Sequence, residues 1–286
     1  AVYYAQGDIV DGVTGMFALT NQVIDAQTVC KDLQDLADDD DVKAVVLRIN
    51  SGGGSAYASE QIWHQIMELK KKKPVVVSMG GMAASGAYYM SCPADWIVAE
   101  PTTLTGSIGI FGMFPDASSL VKDKLGVKFD VVKTNKYSDF GQGMRPFNVD
   151  EMSNLQGYIG RGYQLFRQRV ADGRHMSTSQ VEKIAQGHVW VGQDAVKIRL
   201  VDQLGTLDDA VRKAAALAKT KSYYTCDYPA PADWMDVVLG QVQHGNYLDE
   251  QLQQVMGEWY EPVMFVRNLK NMDAIQARLP FIMKVN

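Results

Sequence analysis

Ser85 is the residue of this sequence best suited by its surroundings to act as a nucleophile. Three valines at residues 75–77 are typical of a buried strand, and the pattern becomes helical from about residue 83. Small neighbours let a substrate approach the backbone, and the start of a helix supplies free N–H groups. Both suit a hydroxyl whose attack on a carbonyl creates an oxyanion. A serine at such a turn can also simply cap the helix, so Ser85 alone leaves both interpretations open.

A second glycine cluster favours the catalytic interpretation. The apolar residues 44–49 are followed by Gly52, Gly53 and Gly54, and a helical pattern begins at about residue 58. Two successive strand–turn–helix units predict an α/β layered fold with a parallel sheet. Because ligands bind outside the carboxyl ends of parallel strands, we expect the glycine loop to lie beside Ser85 and to offer an oxyanion hole. The loop lacks the spacing of either common phosphate-binding motif.

Serine is a poor nucleophile unless another group takes its proton. His188 lies among apolar residues and His175 and His244 lie in polar segments, so none indicates a Ser-His-Asp triad, and the role of His64 is open. A Ser-Lys dyad, whose lysine has its pKa lowered by burial, is the other chemical solution.

The composition of the whole chain excludes several classes of function. The 286 residues are 47% hydrophobic and 21% charged with a net charge of −5, so no basic surface for nucleic acid is expected. Three scattered cysteines and four histidines show neither a disulfide framework nor metal-ligand spacing. No metal or organic cofactor is expected. No apolar run is long enough to span a membrane.

Four long motifs carry a family resemblance: NSGGGSAYASE, KPVVVSMGGMAASGAYYMSCPAD, TTLTGSIGIFG and IAQGHVWVGQDAVKIRLVDQLGTLDDAV. Together they resemble signal peptide peptidase A, a bacterial membrane-associated serine peptidase family, over about residues 1–220, and most closely the carboxyl-terminal repeat of its long, two-repeat form. The resemblance implies a Clp-protease/crotonase-like fold of stacked β-α-β units. It also implies a ring- or bowl-shaped homo-oligomer, such as a tetramer, that degrades signal-peptide remnants and other apolar peptides on the periplasmic side of the membrane.

The resemblance assigns roles to individual residues. Ser85 becomes the nucleophile of a serine endopeptidase, and the N–H groups of Gly53 or Gly54 and of Gly86 form the oxyanion hole. In the short form of the family the basic lysine follows the serine by about fifty residues, which points to Lys136, with Lys133 as its neighbour. In the long form the lysine comes from the amino-terminal repeat instead. Both sources of the base remain open.

Two other functions are compatible with the same residues. A crotonase-type acyl-CoA hydratase or hydrolase also builds its oxyanion hole from glycine-loop amides, although no Asp or Glu flanks Ser85. The chain could also be a non-catalytic half of an assembly whose chemistry depends on another repeat.

The domain organisation is predicted from a change in composition near residue 223. Residues 1–222 are expected to form the peptidase domain, with a strand at 128–133, and residues 223–286 a mainly helical extension for packing or oligomer contact. The apolar period in that extension falls on Leu248, Leu252, Val255, Trp259 and Val263. The first residue is an alanine that leads directly into a strand, so we expect an upstream segment, which would hold any membrane anchor.

Overall fold

The longest strand of the protein ends directly before Ser85. The computed structural model describes residues 1–12, 23–143, 145–229, 256 and 274–279. Its strands are β1 Val2–Gln6, β2 Asp8–Val10, β3 Val23–Asp25, β4 Val45–Ser51, β5 Gly53–Ser55, β6 Val75–Ala84, β7 Trp96–Ala99, β8 Leu104–Gly106, β9 Phe111–Gly112, β10 Val189–Val191, β11 Gln203–Leu204, β12 Asp227–Tyr228 and β13 Ile275–Arg278. Its helices are α1 Ala26–Asp38, α2 Ala56–Lys70, α3 Gly86–Ser91, α4 Val149–Gly173, α5 Thr178–Ile184, α6 Gly192–Lys197 and α7 Leu207–Leu217, and a π-helical turn covers Leu120–Lys124.

An eight-stranded, mostly parallel sheet forms the centre of the fold. Its main strand order is β10-β8-β6-β4-β1-β12, and β7 joins β6 to β11. The first half of β6 pairs with β7 and its last residues pair with β8, so this one strand reaches from the middle of the sheet to the site. Its valines are buried on both faces, as expected for a strand covered by helices on each side.

The second sheet is small and contains the glycine loop. Its order is β3-β2-β5-β13-β9. Strand β5 is the glycine loop itself, and β13 pairs with it in the antiparallel direction on one side and with β9 on the other. The second sheet therefore forms one wall of the region around Ser85.

Two hydrophobic clusters cover the two faces of the central sheet. The larger contains the alternate strand residues Val45, Leu47, Val75 and Val77 together with the buried faces of α1 and α2. The smaller contains the intervening residues, such as Val46 and Val76, and is closed by the alanines of α7. The alternation along each strand thus sends side chains into both clusters.

The α/β layered fold predicted from the sequence is confirmed, with two local differences. The expected first strand is broken into β1 and β2, because Gly7 adopts a φ of +97° between them. The strand predicted at 128–133 is wrong. That segment has irregular backbone, Val132 in it is 97% exposed, and none of the described strands pairs with it.

The described part of residues 223–286 extends both sheets. Strand β12 pairs in parallel with β1 of the central sheet, and β13 pairs with β5 and β9. The helix predicted across residues 248–263 lies outside the described residues apart from residue 256. The proposed division at residue 222 stays a prediction. Among the described helices, none has both the length and the apolar character required to cross a bilayer.

Candidate active site

Ser85 occupies a strained turn between β6 and α3. Its φ is +56° and its ψ is −116°, a backbone conformation that residues with a Cβ seldom adopt. The backbone N–H of Ser85 donates to the Gly106 carbonyl at 2.8 Å, and the Ser85 carbonyl accepts from Tyr89 N at 2.8 Å. These bonds hold the turn from both sides. Such strain is often found where a nucleophile must be presented at the end of a strand.

The Ser85 side chain does not cap the helix that follows it. It makes no capping hydrogen bond, so the interpretation as a simple helix cap is not supported. Its Oγ makes one long hydrogen bond, donating to the Gly109 carbonyl at 3.5 Å. The residue is only 1% exposed. A buried hydroxyl with so weak a partner can be redirected towards a reacting carbonyl at little cost.

The glycines predicted to form the oxyanion hole lie together at the start of α3. A Cβ added to Gly53, whose φ is +100°, would stand 2.8 Å from the Gly86 nitrogen. A Cβ added to Gly86 would stand 3.3 Å from the Gly54 nitrogen. The Gly53 N–H donates to Ser51 Oγ at 3.1 Å, which occupies one of the three predicted donors. The N–H groups of Gly54 and Gly86 are therefore the better candidates to hold an oxyanion.

A strand from the end of the chain lies against these glycines, and the sequence analysis missed it. The carbonyl oxygen of Ala277 in β13 would be 2.1 Å from a Cβ on Gly53 and 2.7 Å from a Cβ on Gly86. The sequence does hold a signal for this strand, because residues 275–279 alternate apolar and polar side chains before Pro280. This alternation is only five residues long, and it lies within a segment that was predicted to be mainly helical, so no strand was predicted there.

The structure does not bring Lys136 to Ser85. Lys136 has a side chain that is 62% exposed and forms an ion pair with Asp150. Its ammonium also lies 5.2 Å from the centre of the Tyr137 ring. The hydrogen bond to Asp150 is the main cause that raises the pKa of Lys136, whereas a general base needs a lowered pKa. Its neighbour Lys133 pairs with Asp139 at 2.7 Å. The role of Lys136 stays a prediction, and this arrangement gives it no support.

Two other basic side chains, His188 and Lys73, also have partners other than Ser85. His188 is exposed, and its ring lies 4.3 Å from that of Trp190. Burial lowers the pKa of Lys73, which bonds to the carbonyls of Leu36 and Asp39, but Lys73 precedes β6 at the end opposite Ser85. Among the described residues, no basic side chain is hydrogen-bonded to Ser85 Oγ.

Comparison with known proteins shows which protein family the chain belongs to. The sequence profile of Peptidase family S49 matches residues 67–221, more than half of the chain and including Ser85. The chain belongs to peptidase family S49. The profile of Clp protease also matches, over residues 15–96.

Relatives of this S49 chain include named proteases. It is 44% identical over 248 residues to Protease 4 of Salmonella typhi, covering 85% of this chain and 39% of that protein. It is 36% identical over 217 residues to the chloroplastic serine protease SPPA of Arabidopsis thaliana, covering 76% of this chain and 31% of that protein. A solved structure of a ClpP1 variant from Listeria monocytogenes, 16% identical, aligns over 73% of this chain and 94% of that one with a TM-score of 0.48.

The membership identifies this S49 chain as part of a serine peptidase. The chain spans well under half the length of the Salmonella and Arabidopsis proteases. What the complete protein acts on, and which partners it needs, are therefore addressed as proposals.

Proposed function

We propose that this chain carries the nucleophile and oxyanion hole of an endopeptidase that cuts extended, apolar peptides by Ser-Lys chemistry. The observation that carries the proposal is the strained, buried Ser85 beside Gly54 and Gly86. A hydroxyl at a sharp strand-to-helix turn, next to the backbone amides of Gly54 and Gly86, has the two parts that acyl transfer requires.

The reaction begins when Ser85 Oγ attacks the carbonyl carbon of the substrate and loses its proton to a neutral amine. The negative charge on the former carbonyl oxygen is held by the N–H groups of Gly54 and Gly86. Collapse of this intermediate breaks the C–N bond, and the protonated base returns its proton to the leaving amine. Water then repeats the sequence on the acyl-enzyme and restores the hydroxyl.

We place the basic lysine outside the described residues of this chain. The exposed position of Lys136, its ion pair with Asp150 and its raised pKa keep it charged at neutral pH. A base must be neutral before it can accept a proton from serine. A lysine buried against Ser85 by another part of the full protein, or by a neighbouring subunit, would meet that requirement.

The expected setting is the periplasmic face of a bacterial membrane, with signal-peptide remnants as substrates and a ring-shaped homo-oligomer as the working form. The support for this setting is the similarity to Protease 4 and SPPA. Small residues on both sides of Ser85, such as Ala84 and Gly86, leave room for apolar substrate side chains.

The test is covalent labelling with a fluorophosphonate probe of the 286-residue chain combined with the amino-terminal repeat expected in the long form of the family, followed by peptide mapping. We expect the label on Ser85 and its loss in Ser85→Ala. Ser107→Ala is the matched control, because Ser107 is also buried and also has a positive φ of 48°. Labelling that persists in Ser85→Ala would overturn the proposal.

The source of the base is tested with a fluorogenic apolar peptide ester. We expect Lys136→Ala to hydrolyse it at the rate of the parent chain, and addition of the amino-terminal repeat expected in the long form of the family to raise both rates together. A rate in Lys136→Ala that falls to that of Ser85→Ala would instead make Lys136 the base. A crotonase-type hydratase would leave Ser85 unlabelled by the fluorophosphonate in every variant.

A further inference from the structure

The two amides of the proposed oxyanion hole lie on different elements of the fold. Gly54 belongs to β5, which leads directly into α2, and Gly86 is the first residue of α3. Ser55 joins β5 to α2 as a helix cap, because its Oγ accepts from Ala58 N at 3.1 Å. The distance between the two glycine amides therefore depends on how α2 packs against α3.

A serine of α2 limits how closely the two helices approach. Ser59 is completely buried, and its Oγ donates to the Ser55 carbonyl at 2.8 Å. A Cβ added to Gly86 would stand 2.5 Å from that Oγ. Because the hydrogen bond of Ser59 stays within its own segment, this contact resists the approach of α3 but does not resist its separation from α2.

A tyrosine and a glutamate hold the same two helices together. Tyr89, one turn after Gly86 in α3 and 2% exposed, donates from its hydroxyl to Glu60 Oε2 of α2 at 2.5 Å. Burial and the bond to Glu60 raise the pKa of Tyr89, so the phenol keeps its proton and stays a donor at neutral pH. Within the part of the chain that the structure describes, it is the one side-chain hydrogen bond between α2 and α3.

An arginine of α4 fixes the position of the glutamate. Arg169 binds both carboxylate oxygens of Glu60, with Nη2 at 2.5 Å from Oε1 and Nε at 3.3 Å from Oε2. Its guanidinium lies 3.7 Å from the centre of the Trp63 ring of α2, and Phe166 packs on Tyr89 with ring centroids 4.4 Å apart. Because a guanidinium that binds both oxygens restricts the carboxylate more than a single bond does, Glu60 is held where it can accept from Tyr89.

We propose that the hydrogen bond between Tyr89 and Glu60 positions the oxyanion hole. It keeps α3 against α2, so that the N–H groups of Gly54 and Gly86 converge on one point, while Arg169 holds the carboxylate in place. An oxyanion hole is effective because its donors are already in place when the charge develops. The three side chains act through the two helices and are positioning residues. The proposal deepens the proposed function and rests on it.

The first test needs no reaction, because each change is read at the glycine of the other segment. The amide resonances of Gly54 and Gly86 are followed in nitrogen–proton NMR spectra of the glycine-labelled 286-residue chain. Tyr89→Phe changes α3, so its effect is read at Gly54, and Glu60→Ala changes α2, so its effect is read at Gly86. We expect both resonances to shift. A Gly54 resonance unmoved by Tyr89→Phe, or a Gly86 resonance unmoved by Glu60→Ala, would overturn the proposal.

Tyr3→Phe is the matched control for the loss of a buried phenol hydroxyl. Tyr3 is 3% exposed and donates to the carboxylate of Asp32 at 2.8 Å, but this bond joins β1 to α1, which contain neither glycine. We expect both glycine resonances to stay in place in this variant, and circular dichroism establishes that each variant is folded. Shifts in Tyr3→Phe as large as those in Tyr89→Phe would contradict the assignment.

The second test compares the hydrolysis of an apolar peptide ester with that of its thionoester, in which sulfur replaces the carbonyl oxygen. Because sulfur accepts hydrogen bonds poorly, the ratio of the two rates measures the oxyanion hole itself. In the presence of the amino-terminal repeat expected in the long form of the family, Tyr89→Phe and Glu60→Ala should each lower this ratio about tenfold, less than the loss of a whole oxyanion donor. Glu60→Gln, which keeps an oxygen acceptor for Tyr89, should lower it less.

A double variant distinguishes one shared bond from two independent losses. Tyr89→Phe combined with Glu60→Ala should lower the ratio no further than Glu60→Ala alone, because both changes remove the same hydrogen bond. Ester and thionoester rates that fall together, with an unchanged ratio, would mean that the two residues only stabilise the fold, and would overturn the proposal. If the parent protein hydrolyses neither compound but the glycine resonances shift as expected, the proposed function fails while the bond still sets the positions of the two glycines.

Discussion

The strain at Ser85 can be measured by comparing glycine and alanine at that position. An alanine keeps the Cβ that makes a φ of +56° unfavourable, whereas a glycine adopts this conformation freely. Such a conformation costs about 1–3 kcal/mol. Removing the Cβ also has two costs unrelated to strain: about 0.8 kcal/mol for the lost buried carbon and about 0.4–1 kcal/mol for the greater freedom of the unfolded chain.

Ser78, inside β6, serves as a reference position that has the same two costs but no strain, so the costs cancel when the two positions are compared. Ser78 is also buried in β6, but its backbone is ordinary and its Oγ accepts a hydrogen bond from Arg48 at 3.0 Å, which is lost in both of its variants. We expect Ser78→Gly to be about 1–2 kcal/mol less stable than Ser78→Ala. At Ser85 the relief of about 1–3 kcal/mol of strain opposes these costs, so Ser85→Gly should range from about 1 kcal/mol less stable to about 2 kcal/mol more stable than Ser85→Ala. The glycine–alanine differences at the two positions should therefore be separated by the strain itself.

The assay is urea unfolding of the four variants, with fluorophosphonate labelling measured in parallel. Both Ser85 variants should lose labelling, and both Ser78 variants should keep it. If the glycine variants are destabilised equally at Ser85 and Ser78, the turn is not strained, and the fold does not store strain to present the Ser85 hydroxyl.

Two further substitutions test the framework that holds the site. Arg174→Ala should lower the free energy of unfolding by about 3–5 kcal/mol, because it leaves Asp202 without its buried partner at 2.5 Å. In the same urea titration, Arg212→Ala on the exposed face of α7 should cost at most about 1 kcal/mol. Gly54→Ala should prevent β5 from packing against β2, because the new Cβ would lie 2.1 Å from the Ile9 carbonyl oxygen. We expect this variant to lose cooperative unfolding in differential scanning calorimetry. A normal transition would refute the close contact.

The parts of the site that the sequence predicted are those fixed by local backbone chemistry. The valines of β6 and the glycines after β4 act within a few residues of their own position, so strand, turn and helix could be read in order. The sequence also predicted that Gly54 and Gly86 lie close together, because parallel strands bring their carboxyl ends to the same edge of the sheet. Backbone strain at Ser85 could not be read from its neighbours, since it depends on bonds to Gly106 and Tyr89.

The parts that the sequence did not predict depend on distant partners. Strand β13 has only four residues and is defined by the strands on either side of it, while the segment at 128–133 has strand-like residues but pairs with none of the described strands. Lys136 illustrates the same limit for a side chain. Its spacing from Ser85 suggested a base, but the sequence did not show its ion pair with Asp150 of α4, which raises the pKa of Lys136.

The position of β13 also has a consequence for the order in which the protein acquires its structure. Ala277 pairs with Gly54, which lies more than two hundred residues earlier in the chain, so this contact closes a very large loop. Contacts of such wide sequence separation form slowly, because the entropy of loop closure must be overcome before they contribute. The central sheet can thus assemble, with Ser85 already in its turn, before the strand over it arrives. We therefore expect a folding molecule to pass through a stage in which the turn that holds Ser85 is formed and still uncovered.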